Sequence, residues 1–223
     1  MDTRINAKDF IVLLVLAILA TTVSAFICSV LRLAHLPLVL ISESAFCICF
    51  LLGYRRMGRS RRWPTLTDRF SPVSATAILA AVVCAACVVG MHYLFFRLLT
   101  PHGIPRSSAP SQFSRADGQL LAVVPVAVLL APFVEELIFR GMLIDWLKRW
   151  MSKWAAGGVS SLLFAIAHAS YFHGGVLAVV RFTDTLMLGV GASIFAIRCG
   201  SLRPSFVVHA TYNLLVAALI LQG

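Results

Sequence analysis

A chain of 223 residues that is 60% hydrophobic and only 13% charged is no ordinary soluble domain, in which about 25% of residues carry charge. With a mean hydropathy of +0.90 it reads as an all-α polytopic membrane protein, a bundle of about seven transmembrane helices within a range of six to eight. It leaves no room for a separate soluble domain. The formal charge of +10 does not indicate a nucleic-acid partner. The basic residues crowd into short loops between apolar runs, the pattern of a cytoplasmic membrane face, where they can meet the anionic lipid of the bilayer.

Candidate spans fall at 10–31, 36–54, 73–96, 119–144, 159–173, 176–197 and 204–221, most of them close to the roughly 20 residues that cross a hydrocarbon core. Arg4 and Lys8 precede the first span, and Val23-Ser24-Ala25 has the spacing of a signal-peptide cleavage site. The apolar run continues to Leu31, however, as in an uncleaved first helix. Glu43 lies alone in the second span, as either a structural hydrogen-bonding residue or a proton-binding group. Arg55, Arg56, Arg59, Arg61, Arg62 and Arg69 fill the loop that follows.

The third span holds Cys84 and Cys87 in a CAAC sequence, but no strand-to-helix context surrounds it. All six cysteines, at 28, 47, 49, 84, 87 and 199, read as small packing residues. The segment 97–118 is rich in Ser, Pro and Gly and reads as external irregular chain, although it contains Arg97, Arg106 and Arg115. It separates an N-terminal part, 1–118, from a C-terminal part, 119–223, with four spans.

Lys148, Arg149 and Lys153 follow the fourth span as a second basic group. The fifth span is short. A flexible stretch from Lys153 to Gly158 precedes it, with Ser160 or Ser161 as the candidate cap, and its end near His173-Gly174-Gly175 is poorly defined. In the sixth, Gly189, Gly191, Ala192 and Ser193 predict close helix packing. Basic loops inside the cell place the N terminus in the cytoplasm and the C terminus outside the inner (plasma) membrane.

The fourth, fifth and seventh spans contain groups that are expensive in hydrocarbon. PFVEELIFRGML, 132–143, holds Glu135, Glu136 and Arg140; FAIAH ends at His168; HATYN runs from His209 to Asn213. Glu136 and Arg140 are four residues apart and can pair on one helix surface. Glu135 points about 100° away. His209 and Asn213 share a face. Each group also has a purely structural reading: a buried salt bridge, a satisfied core histidine, a hydrogen bond between helices. One shared cluster is the more economical account. Helix rise puts Glu135 about 15 Å, His168 about 12 Å and His209 about 9 Å from their basic ends, all in the cytoplasmic half.

In order and spacing these motifs resemble the CAAX-processing and bacteriocin-processing protease family, also called CPBP or Abi, whose signature is EExxxR, then FxxxH, then HxxxN or HxxxD. EELIFR at 135–140, FAIAH at 164–168 and HATYN at 209–213 carry the resemblance, with Gly141 and Gly200-Ser-Leu beside them. It covers roughly 120–222. It implies an intramembrane endopeptidase in which Glu135, assisted by His168, activates water while His209 and Asn213 stabilise an oxyanion. Glu136 and Arg140 would orient the site, supported by Phe164. The family often carries a metalloprotease label, and Glu135, His168 and His209 could supply three ligands to zinc. No His-Glu-x-x-His helix is present, and a glutamate site without cofactor is favoured. The substrate implied is a membrane-associated peptide or protein. Compact size and the dense arginine loop suit a bacterial protein, where prenylated substrates are unusual. A transporter or proton-coupled channel would need similar buried groups but also inverted repeats, which are not evident. A noncatalytic scaffold or immunity protein is the other alternative.

Overall fold

The structure is a computed structural model that describes residues 7–31, 35–59, 63–99, 124–169 and 175–222. Among these residues the regular structure is entirely helical. The helices are α1 (Ala7–Val30), α2 (His35–Arg59), the single turn α3 (Leu66–Arg69) and α4 (Ala75–Leu99). A continuous rod, α5, follows, made of Val126–Leu130, Ala131–Glu136, Leu137–Leu143 and Ile144–Leu147. Then come α6 (Lys153–Ala169), α7 (Gly175–Cys199) and α8 (Leu202–Gln222). Within Lys8–Val30, Ala75–Leu98 and Ala178–Cys199 the helix is long and apolar enough to cross a membrane. The external segment read at 97–118 and the junction near His173 lie largely outside the described residues.

A helix that is apolar on every side suits lipid rather than water. On α1, Ile11, Val12, Val15 and Leu19 face outward while Leu13 and Ala17, one turn apart, are buried. Leu13 packs over Gly53, where a Cβ would come within 2.3 Å of Leu13 Cδ1. α1 pairs with α2, while α4, α6, α7 and α8 pack together. α5 lies between these groups, touching α2 on one side and α6 and α8 on the other. Val134, Leu137 and Ile138 of α5 join Cys47, Phe50 and Tyr54 of α2 in one buried cluster.

The fifth span starts earlier than its sequence suggests. α6 begins at Lys153, where Ser152 accepts at its Oγ from Ala155 N–H (3.2 Å). Gly157 and Gly158 are inside the helix rather than in a flexible lead-in. Ser160 and Ser161 therefore cap nothing. Ser160 donates to Phe139 O (2.8 Å), tying α6 to α5, and Ser161 hydrogen-bonds Ser193 across to α7 (3.0 Å). Burial explains the difference: in an apolar bundle, helix packing holds these glycines in a helix that propensity alone disfavours.

The chain between α2 and α4 is likewise more ordered than a solvated basic loop. Thr65 and Asp68 form a reciprocal capping box on α3, and the Thr65 hydroxyl and N–H hold the Asp68 carboxyl below its ordinary range. Trp63 is buried against Tyr54. Arg69 turns inward to pair with Asp145 (2.5 Å). Phe70 O accepts from Arg203 Nε (2.5 Å) and Ser71 O from Ser201 Oγ (2.8 Å). This segment is thus stitched to α5 and to the start of α8.

The small residues of α7 do pack closely. A Cβ on Gly189 would sit 3.1 Å from Ser161 Cα, while one on Gly158 would meet nothing within 4 Å. Gly189→Ala is expected to destabilise the protein by about 1–3 kcal/mol through overpacking. Gly158→Ala is expected to be neutral or stabilising by up to about 1 kcal/mol. Thermal unfolding of the purified variants in one detergent checks both signs.

Candidate active site

The site is built on an unusual helix. Within α5, Val126–Leu130 and Leu137–Leu143 are π-helical and flank an α-helical Ala131–Glu136. Such turns are rare and often occur at functional positions. Pro132, which has no N–H to give, falls just after the first π turn, where the hydrogen-bond ladder changes step. The two glutamates sit at the junction with the second.

Glu136 is fully buried and saturated with donors. Its Oε1 accepts from Arg140 Nη1 (2.7 Å) and His209 Nδ1 (3.0 Å), and its Oε2 accepts from Ser205 Oγ. Arg140 is buried as well; its Nη2 donates to Gly189 O (3.2 Å), and its guanidinium lies 4.4 Å from the centre of the Phe164 ring. One carboxylate therefore ties α5 to α8, and its cation ties α5 to α7. Removing one partner of such a pair strands a charge, whereas removing both does not.

Glu135 faces a different surface. Its Oε2 is 3.6 Å from His168 Nε2 and 3.6 Å from His209 Nε2. That buried oxygen has no hydrogen-bond partner among the described residues. His168 Nδ1 bonds to Phe164 O (2.8 Å). A carbonyl can only accept, so Nδ1 carries the hydrogen. His209 Nδ1 is fixed in the same sense by the Glu136 carboxylate. In their neutral forms both rings then turn a bare Nε2 toward Glu135. Three acceptor atoms converge with no donor among them, at a spacing too long for direct hydrogen bonds. Such a triangle is answered by an added proton, a bridging water or a cation.

Phe164 explains why an aromatic belongs one turn before His168. It is fully buried, its ring 4.3 Å from that of His168, edge-on to His209 at 5.4 Å and to Phe139 at 5.1 Å, with Arg140 over its face. Asn213, one turn beyond His209, donates from Nδ2 to Ala127 O (2.7 Å) in the first π turn. An amide NH2 carries two hydrogens, so one donor remains.

Two residues join the site beyond the sequence motifs. Ser205 completes a stripe with His209 and Asn213 at four-residue spacing on α8, a signal visible in the sequence. Glu43 is not isolated: it interacts electrostatically with His168 and Glu135, brought there by the face of α2 that carries Cys47 and Phe50. A separate pair, partly exposed His92 with buried Asp184, links α4 to α7; no sequence spacing indicated it. All six cysteines are free thiols.

Zinc would need three or four such donors gathered at about 2.0–2.2 Å from one point. Among the described residues no group of three or more His, Cys, Asp or Glu is arranged to hold a metal ion.

Residues 117–215 match the family model of the type II CAAX prenyl endopeptidases, Rce1-like. The matched stretch contains Glu135, Glu136, Arg140, His168, His209 and Asn213 together. No curated protein and no solved structure matches the chain. Residues 117–215 are thus similar to a CAAX-protease-like intramembrane endopeptidase domain, with glutamate–histidine contacts at its centre.

Arg140→Met alone is expected to destabilise by about 3–5 kcal/mol, because Glu136 is left charged and buried. The double variant with Glu136→Gln should recover a large part of that loss. A double-mutant cycle of unfolding free energies checks the coupling.

Proposed function

We propose that the protein hydrolyses a peptide bond of a membrane-associated peptide or protein, using Glu135 and His168 to activate water. The observation that carries this reading is the unpartnered Glu135 Oε2 facing two histidine nitrogens. A water placed there donates one hydrogen to Glu135. Its oxygen attacks the scissile carbonyl, and the released proton goes to the Glu135 carboxylate. The tetrahedral oxyanion takes hydrogen bonds from the remaining Asn213 N–H and from His209 Nε2. For His209 to donate there it must hold a second ring proton, and the Glu136 carboxylate accepting at Nδ1 favours that form. The proton then passes from Glu135, with His168 beside it, to the leaving nitrogen as the C–N bond breaks. The products are one acid and one amine.

Seven spans with the basic ends in the cytoplasm are part of the same proposal. They place the site in the cytoplasmic half of the inner membrane, about 15 Å from Asp145 by helix rise. A substrate would enter from that side.

The reading is tested with lipid-reconstituted full-length protein and a panel of prenylated C-terminal and membrane peptides. Glu135→Gln and His168→Ala are each expected to lower kcat by about 10²–10⁴-fold, the range for a lost general base, with the fold retained. Cleavage at the wild-type rate by both variants would overturn it. Asn213→Ala should lower kcat by about 10²-fold with little change in KM, the pattern of a group that acts in the transition state.

A further inference from the structure

A cavity of about 180 Å³ opens at the basic end of the bundle, behind the active site. Its wall includes Arg69, Lys148 and Lys153, the single carboxylate Asp145, and Arg140 at the inner end. Asp145 pairs with both Arg69 and Lys148 at 2.5 Å, and Glu136 matches Arg140. Among the described residues, two positive charges in the wall therefore have no anion to balance them. Buried Arg140 also keeps its Nε without a hydrogen-bond partner.

The backbone contributes in the same sense. The turn at Gly200, Ser201 and Leu202 lines the cavity, and the 21-residue α8 starts there, with Arg203 N–H donating to Ser201 Oγ (3.2 Å). Gly200 has φ +62°, a left-handed conformation that glycine adopts without strain and that lets α8 begin directly after α7. Lys153, the first residue of α6, lines the cavity too. Helix starts present positive partial charge, so a lysine here adds like to like unless an anion lies between.

The level of the cavity identifies the anion. Trp146 and Trp150 stack edge to face at 4.7 Å beside it, and Trp150 and Trp154 are exposed, 63% and 48%. Exposed tryptophans at a helix end mark the depth of lipid headgroups. Basic pockets between helices at that depth suit a phosphate headgroup.

We propose that this cavity binds the phosphate of an anionic phospholipid headgroup. Lys148 and Lys153 hold the phosphate, the first turn of α8 faces it, and Arg140 closes the inner wall. The site is distinct from the water site at Glu135, and its binding does not depend on the catalytic assignment.

The test is equilibrium binding of short-chain phosphatidylglycerol and phosphatidylcholine to the purified full chain in neutral detergent. Wild type is compared with Lys148→Gln/Lys153→Gln. Arg55→Gln/Arg56→Gln removes the same charge from exposed residues of α2 that do not line the cavity. Phosphatidylglycerol should bind wild type at least about tenfold tighter than phosphatidylcholine. The lysine pair should lose about thirtyfold, from roughly fivefold per basic residue at an anionic headgroup, and the arginine pair less than about threefold. If the lysine pair unfolds, Lys153→Gln alone, which breaks no ion pair with Asp145, should lose about fivefold. Equal losses in the two double variants would mean general charge attraction and overturn the site. So would an unchanged lysine variant. Displacement of the lipid by free glycerol phosphate at equal concentration would assign the cavity to a soluble phosphate and overturn the lipid reading.

Discussion

The constraint on which the rest depends is the buried ion pair between Glu136 and Arg140. A carboxylate without exposure to water survives only when its charge and lone pairs are answered. Here arginine, histidine and serine answer them. Because these donors come from α5 and α8, and because Arg140 reaches Gly189 on α7, satisfying one charge fixes three helices. It also fixes a tautomer. With Nδ1 of His209 held by Glu136, Nε2 is the only ring nitrogen left to face Glu135. The electrostatic need of Glu136 thus sets which histidine nitrogen faces Glu135.

Adjacent glutamates with opposite fates follow from helix geometry. A rotation of about 100° between neighbours sends one carboxylate into the packed interior and the other toward the rings of His168 and His209. Widened turns on either side of Ala131–Glu136 loosen α5 where these groups must be accommodated. Phe164 serves both sides, as a face for Arg140 and an edge for the histidines. This arrangement keeps an oxygen of Glu135 without a hydrogen-bond partner among the described residues, beside groups that are fully supplied.

Much of this was legible in the sequence because it depends on short periods. Spacing of four along one helix predicts Glu136 with Arg140 and His209 with Asn213, and apolar length predicts where helices run. The glycines of α7 signal contact for the same local reason, and Gly189 against Ser161 meets that expectation. What the sequence hid depends on distance across the bundle. Ser160 looks like a cap until Phe139 O lies beside it. Arg69 looks like one of several solvated loop arginines until Asp145, on another helix, draws it inward. Glu43 looks isolated because α2 reaches the site only through packing against α5. His92 and Asp184 are 92 residues apart, and no local pattern connects them.

The central claim is that the Glu135 carboxylate, rather than a metal, activates the water. The most direct measurement is the cleavage rate of exhaustively chelated, lipid-reconstituted wild type, with total metal counted on the same samples. The account predicts an unchanged rate with metal bound to fewer than about one chain in ten. Loss of cleavage on chelation, restored in proportion to added zinc at one ion per chain, would contradict it and turn Glu135, His168 and His209 into ligands.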